Sequence, residues 1–277
     1  MVEVILDTIM DTLKLLPFLW FTFLLIEVIE HKYQKKSQKI IQASGKFGPL
    51  LGGFLGIFPQ CGFSVMATNL YVIRIISMGT LISIYLSTSD EMLPILLAES
   101  ASIQVIFFFL FTKVIIGIVS GFLIDFLVRE KRRPQVEEMC KQEHCHCEKG
   151  VFSSSLMHTL HIGIFIFITT FFINSLMHYG LEEYLRSIFH SKSILTPFLS
   201  SLIGFIPNCG ASIILTELYL KGILSAGSLI AGLLTGSGVA FLVLFKNNKH
   251  LRENLLILIL VYLIGSVSGV ILNFVGL

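Results

Sequence analysis

Gly56-Ile-Phe-Pro-Gln-Cys-Gly-Phe-Ser64 and Gly204-Phe-Ile-Pro-Asn-Cys-Gly-Ala-Ser212 are two copies of one motif, 148 residues apart in a chain of 277. Over 56–71 against 204–219, 8 of 16 positions are identical, among them Pro59/Pro207, Cys61/Cys209, Thr68/Thr216 and Tyr71/Tyr219. The register continues without a gap, pairing Ser77-Met-Gly-Thr-Leu-Ile with Ser225-Ala-Gly-Ser-Leu-Ile and Ile116-Gly-Ile-Val-Ser-Gly with Ile264-Gly-Ser-Val-Ser-Gly. An internal repeat of this length divides the chain into two halves, 1–128 and 151–277, joined by a charged linker at 129–150.

The motif sits inside long apolar runs. Hydrophobic residues make up 54% of the chain and charged residues 14%, so the bilayer is its solvent. A hydrocarbon core of about 30 Å needs roughly 20 apolar residues per helical crossing. Runs of that kind fall at 9–29, 47–73, 76–98 and 103–127, with counterparts at 155–178, 196–220, 223–245 and 254–275. They predict an all-α membrane protein, since the strands of a membrane barrel would alternate with period two. Met1 to Thr8 has no basic stretch and carries Glu3 and Asp7, so the first run is expected to stay as a membrane helix. The net charge of +2 points to no nucleic-acid partner, and the five cysteines do not form a disulfide framework.

Proline and glycine interrupt the runs at 47–73 and 196–220, as a kinked span or as a re-entrant hairpin. Lysine and arginine decide between them, because cytoplasmic loops are enriched in both. If each interrupted run enters and leaves on one side, the five lysines of 30–47, Arg74, the six basic residues of the linker and the three of 246–253 share one side, leaving only Arg186, Lys192 and Lys221 opposite. Complete crossings would put 30–47 and the linker on opposite sides. The expectation is therefore two inverted repeats, each with three spanning helices and a re-entrant hairpin. That makes ten membrane segments, with both termini outside and the linker in the cytoplasm. Residues 180–193 read as an amphipathic surface helix.

Irregular backbone at membrane depth is tolerated only where protein or a cavity surrounds it, so two opposed tips predict a central site. Gln60, Cys61, Ser64, Asn208, Cys209 and Ser212 would surround it. Thiolates suit soft ions and metalloids, and amides and hydroxyls suit harder ones; cysteine is equally a small residue that packs at a tight turn. Ser87-Thr-Ser-Asp-Glu91, followed by Pro94, places Thr88, Asp90 and Glu91 inside an apolar run. Ionisable groups there mark ion ligands or proton carriers, with a structural ion pair to Lys113 as the other reading. Neighbouring helical residues point about 100° apart, so both carboxylates reach one site only if the helix unwinds. Asn69 and Glu217 occupy equivalent places on the returning arms. Glu217 either completes a carboxylate site or is solvated near the outer surface. In the linker, Cys140, His144, Cys145, His146 and Cys147 have the composition of a labile metal-binding segment, against the alternative of a solvated linker.

The paired Pro-Gln-Cys-Gly and Pro-Asn-Cys-Gly tips, the Thr88-Ser-Asp-Glu91 stretch with Pro94, and the linker His-Cys-His-Cys-Glu resemble the bacterial ten-transmembrane heavy-metal exporter family. Its members carry the labels arsenic efflux protein or manganese transporter. The resemblance spans essentially the whole chain. It implies export of a metal or metalloid ion across the inner membrane, with Cys61 and Cys209 favoured for arsenite, and Asp90, Glu91, Asn69 and backbone carbonyls for Mn²⁺.

No nucleotide-binding or hydrolase motif is present, so a gradient-driven transporter that needs no cofactor is expected rather than an enzyme. A transporter of a small organic anion or other polar solute is the alternative. An intramembrane enzyme using Asp90 and Glu91 is a third reading, and a metal-sensing receptor, which would need an output domain, a fourth. A homo-oligomer is compatible with the sequence.

Overall fold

A computed structural model of the chain describes residues 47–57, 61–88, 92–99, 101–128, 151–176, 195–207 and 209–275, with scattered positions between 6 and 24. All regular secondary structure among the described residues is helical, with no strand among them. The elements are α1 (Gly48–Leu55), α2 (Cys61–Val72), α3 (Met78–Ser87), α4 (Met92–Ala98), α5 (Ile103–Leu127), α6 (Val151–Leu176), α7 (Thr196–Gly204), α8 (Cys209–Leu220), α9 (Ala226–Thr235), α10 (Ala240–Asn247) and α11 (Leu251–Phe274). The linker and the stretch 180–193 lie outside the described residues.

Ile103–Leu127, Leu251–Phe274 and the stretch Ala226–Asn247 are long and apolar enough to cross a membrane. Their surroundings differ. The apolar core window of 226–247 is 83% buried in protein, against 33% for α5 and 28% for α11. On α5 the exposed side chains Ile103, Phe107, Phe111, Ile115 and Val119 recur every four residues, as do Leu251, Leu255, Ile259, Leu263, Val267 and Ile271 on α11. Each is a continuous apolar stripe of the kind that lipid covers.

Behind the stripes, small residues let the helices approach backbone to backbone. The trio α1, α3, α5 packs as α7, α9, α11 does. A Cβ added at Gly121 would lie 2.6 Å from Gly79 O, and one at the equivalent Gly269 would lie 2.6 Å from Gly227 O, so only glycine fits. Serine caps α3 and α9 alike: Ser77 Oγ accepts from Thr80 N and Ser225 Oγ from Ser228 N. Asp125 accepts from Ser77 Oγ at 2.6 Å and from Gly79 N at 3.0 Å, while its counterpart Asn273 donates to Ser228 Oγ at 3.3 Å.

The two arms around Pro59 run in opposite directions. Along α1, Gly48 and Gly52 pack against Thr80 and Gly56 against Ser87, so α1 runs with α3. Along α2, Ser64 meets Thr88 and Thr68 meets Tyr85, so α2 runs against α3. A cavity of about 180 Å³ lies between the arms, lined in part by Leu51, Leu55, Phe63 and Met66. Helices α2 and α8 end in the same way. Ile75 N bonds Leu70 O and Ile223 N bonds Leu218 O, and the residue before each is left-handed: Arg74 (φ 62°) and Gly222 (φ 71°).

The halves interlock. Helix α2 packs on α10, and α8 on α4. Tyr85 meets Phe241 edge-on with ring centroids 5.0 Å apart, and Phe109 meets Tyr219 at 5.2 Å. Farther along α2, Asn69 bonds Asn247 and Arg74 bonds Glu253. Helices α2 and α10 therefore run in one direction, opposite to α3.

The runs 76–98 and 223–245, read from the sequence as single crossings, are each divided. Helix α3 stops at Ser87 and α9 at Thr235, at equivalent positions. In the first, Ser87 Oγ donates to Ser83 O and Thr88 Oγ1 to Ile84 O, both at 2.7 Å, and Thr88 turns to ψ 130°. Hydroxyls that bond back onto the preceding turn, with Pro94 following, favour an end there. In the second, Gly236 and Gly238 (φ 55°) allow the chain to leave the helix.

Candidate functional site

The first helix break gathers buried polar groups from three elements. Ser64, in the first turn of α2, shares a 2.9 Å hydrogen bond with Thr88 at the end of α3. Lys113, from the middle of α5 and 1% exposed, donates through Nζ to Thr88 O. A carbonyl at a helix C-terminus lacks an intrahelical donor and sits at the negative end of the dipole, so an ammonium there is matched twice over. One turn farther along α2, Thr68 Oγ1 donates to Ser64 O at 2.7 Å and shares a hydrogen bond with the hydroxyl of Tyr85. Next to it, Asn69 Oδ1 accepts from Asn247 Nδ2 at 3.1 Å, while Asn69 Nδ2 is buried without a partner.

Of the residues singled out in the sequence, Ser64, Thr88 and Lys113 thus meet directly, and Asn69 lies on the same helix beside Thr68. Cys61 and Cys209 are the first residues of α2 and α8. Gln60, Asn208, Asp90, Glu91 and the linker residues Cys140, His144, Cys145, His146 and Cys147 lie outside the described residues. Among the described residues no three His, Cys, Asp or Glu side chains come together. In the second half Ser212 is buried, and Thr216 donates to its carbonyl at 2.7 Å as Thr68 does to Ser64. Glu217 differs from its counterpart. Asn69 is fully buried, whereas the Glu217 side chain is 35% exposed and pairs with Lys221 at 3.4 Å.

Four residues that the sequence does not mark as site residues belong here. Tyr85 and Asn247 complete the polar face of α2. Arg74 bonds Glu253 at 2.7 Å and joins the end of α2 to the first turn of α11. Ser237, in the second break, is 1% exposed and its hydroxyl has no partner. Sliding Ser87-Thr-Ser-Asp onto Thr235-Gly-Ser-Gly at the repeat offset singles out Ser237 as the counterpart of Ser89.

Long apolar helices, lipid-type outer stripes and a polar interior at helix breaks define a multi-pass membrane protein. The comparison with known families agrees: the family described as "Putative, 10TM heavy-metal exporter" matches residues 1–177 and 158–276. The chain belongs to that family. No curated protein and no solved structure matched it.

Proposed function

We propose that the protein is a secondary transporter that exports a metal or metalloid ion across the bacterial inner membrane by alternating access. It is built as two inverted repeats, 1–128 and 151–277, with re-entrant hairpins α1–α2 and α7–α8, outward termini and a cytoplasmic linker at 129–150. The observation that carries the reading is the pair of helix breaks, after Ser87 and after Thr235, at positions related by the repeat. Broken helices at a repeat interface are where transporters hold their ions, because the free helix ends supply dipoles and unpaired backbone groups. The 226–247 span begins with α9, the counterpart of α3, and continues into α10, which runs opposite to α3, and this supports inversion. The Arg74–Glu253 pair supports a shared cytoplasmic end for the first hairpin and the 246–253 loop.

In this reading Ser64, Thr88, Asn69, Asp90, Glu91, Gln60 and Cys61 line the pathway from the first half, and Asn208, Cys209 and Ser212 from the second. Lys113 balances the carboxylates of Asp90 and Glu91. Glu217, paired with Lys221, sits toward the outer mouth. The linker Cys and His residues collect metal on the cytoplasmic side.

The buried ammonium of Lys113 is also what an anionic solute would seek, so a small organic anion is the second reading. Flux in proteoliposomes separates them. Mn²⁺ flux lost in Asp90→Asn identifies a hard-ion exporter, and arsenite flux lost in Cys61→Ser a thiolate site. Flux of an organic anion alone, unchanged by removal of the linker Cys and His residues, would replace the metal reading.

A further inference from the structure

The two breaks are equivalent in register and unlike in how they are satisfied. At the first, the C-terminal end of α3 meets the charge of Lys113. At the second, the residue 148 positions on is Val261, fully buried and uncharged. The helices hold the same alignment there. One turn beyond Lys113 and Val261, a Cβ on Gly117 would lie 2.8 Å from Ser83 O and one on Gly265 3.1 Å from Ala231 O, two equivalent carbonyls. Val261 therefore stands level with the end of α9 as Lys113 stands level with the end of α3.

What remains at the second break is a set of oxygens. Helix α9 ends at Thr235, Gly236 turns out of it (ψ 64°), and Ser237 N folds back to Thr235 O at 2.9 Å. Two of the last four carbonyls of α9 already accept a bond, Gly232 O from Thr235 Oγ1 at 3.0 Å and Thr235 O from Ser237 N, and the four together carry the negative end of the helix dipole. Beside them is the Ser237 hydroxyl, buried and unpartnered. A buried polar atom without a protein partner is one that an ion or a water can satisfy.

We propose that the second break binds a monovalent hard cation, with Na⁺ the matching ion, through Ser237 Oγ and the terminal carbonyls of α9, and that Lys113 is the built-in counterpart of that cation at the first break. Hydroxyl and carbonyl oxygens suit hard rather than thiophilic ions. Residues 235–247 contain no carboxylate, so a single positive charge is far less costly to enclose there than a double one. The site would hold the coupling ion. That role rests on the proposed transport activity, whereas binding does not.

Thermal unfolding of the full chain in detergent tests it, with NaCl compared against choline chloride at equal ionic strength. Na⁺ should raise the melting temperature saturably. Ser237→Ala should weaken the apparent Na⁺ affinity by about tenfold or more, as expected for loss of a bond to a charged group, and Ser237→Thr should retain it. Val261→Lys should remove the Na⁺ response by supplying the charge internally. An unfolding temperature indifferent to Na⁺, or a response unchanged in Ser237→Ala, would mean that only water occupies the break, and the proposal falls. A Na⁺ response that depends on Ser237, in a preparation that moves no metal, leaves the site standing and overturns the transport reading instead.

Discussion

Where the first half places Arg74, Lys113 and Asp125, the second places Gly222, Val261 and Asn273, each in the same backbone setting. The left-handed turn after α2 and α8, the helix end beside α5 and α11, and the cap of α3 and α9 are all present twice. Only the first copy carries charge at them. Duplication has thus kept the parts of the fold that depend on backbone shape and glycine contact, and has left ionic chemistry to one side. The difference matters because ionisable groups at membrane depth are costly and mark function.

Paired substitutions can break this contrast. Lys113→Met removes a charged donor from a buried carbonyl and should lower stability by about 2 kcal/mol, within the range for hydrogen bonds to charged groups. Val261→Ile, which adds one methylene to an apolar site and removes no hydrogen bond, should cost about 1 kcal/mol, the low end for overpacking. Thermal unfolding in detergent measures both, and equal losses would mean that the two breaks are not differentiated.

A smaller effect is expected at the turns. Arg74→Ala gives up the Glu253 pair while keeping a left-handed side chain, a conformation that costs roughly 1–2 kcal/mol for a residue with a Cβ. Arg74→Gly loses the same pair but relieves that strain, so it should unfold later than Arg74→Ala by about 1 kcal/mol. If the two variants melt together, the strain at Arg74 is not there to be relieved. A change of similar size is expected at the cap. Asp125→Asn copies the second half into the first and should cost about 1 kcal/mol, as loss of a carboxylate at a helix N-terminus does, with hydrogen exchange at Gly79 and Thr80 as the local readout.

Much of the fold was legible because proline and glycine punctuate a membrane sequence strongly and because the chain could be compared with itself. Pro59 and Pro207 announced the interruptions, and the Ser87–Glu91 stretch announced a disturbed helix. The second break was harder to see. Thr235-Gly-Ser-Gly238 is a set of small residues of the kind that packs membrane helices, and nothing local distinguishes a break from a contact. The full burial of Asn69 was not legible either, because it depends on Asn247 arriving from the other half, whereas Glu217 pairs with Lys221 one turn farther along its own half. The Arg74–Glu253 pair joins residues 179 positions apart, beyond the reach of any local pattern.

The interlocking of α2 with α10 also governs how the protein is made. Asn69 waits for Asn247, 178 residues later. At about 5–20 residues per second that interval is roughly ten to forty seconds. During it the polar face of α2 lacks the helix from the second half that covers it. Biogenesis of this chain therefore has a vulnerable window whose length is set by translation speed, and slowing the ribosome within the second half should increase degradation more than slowing it within the first.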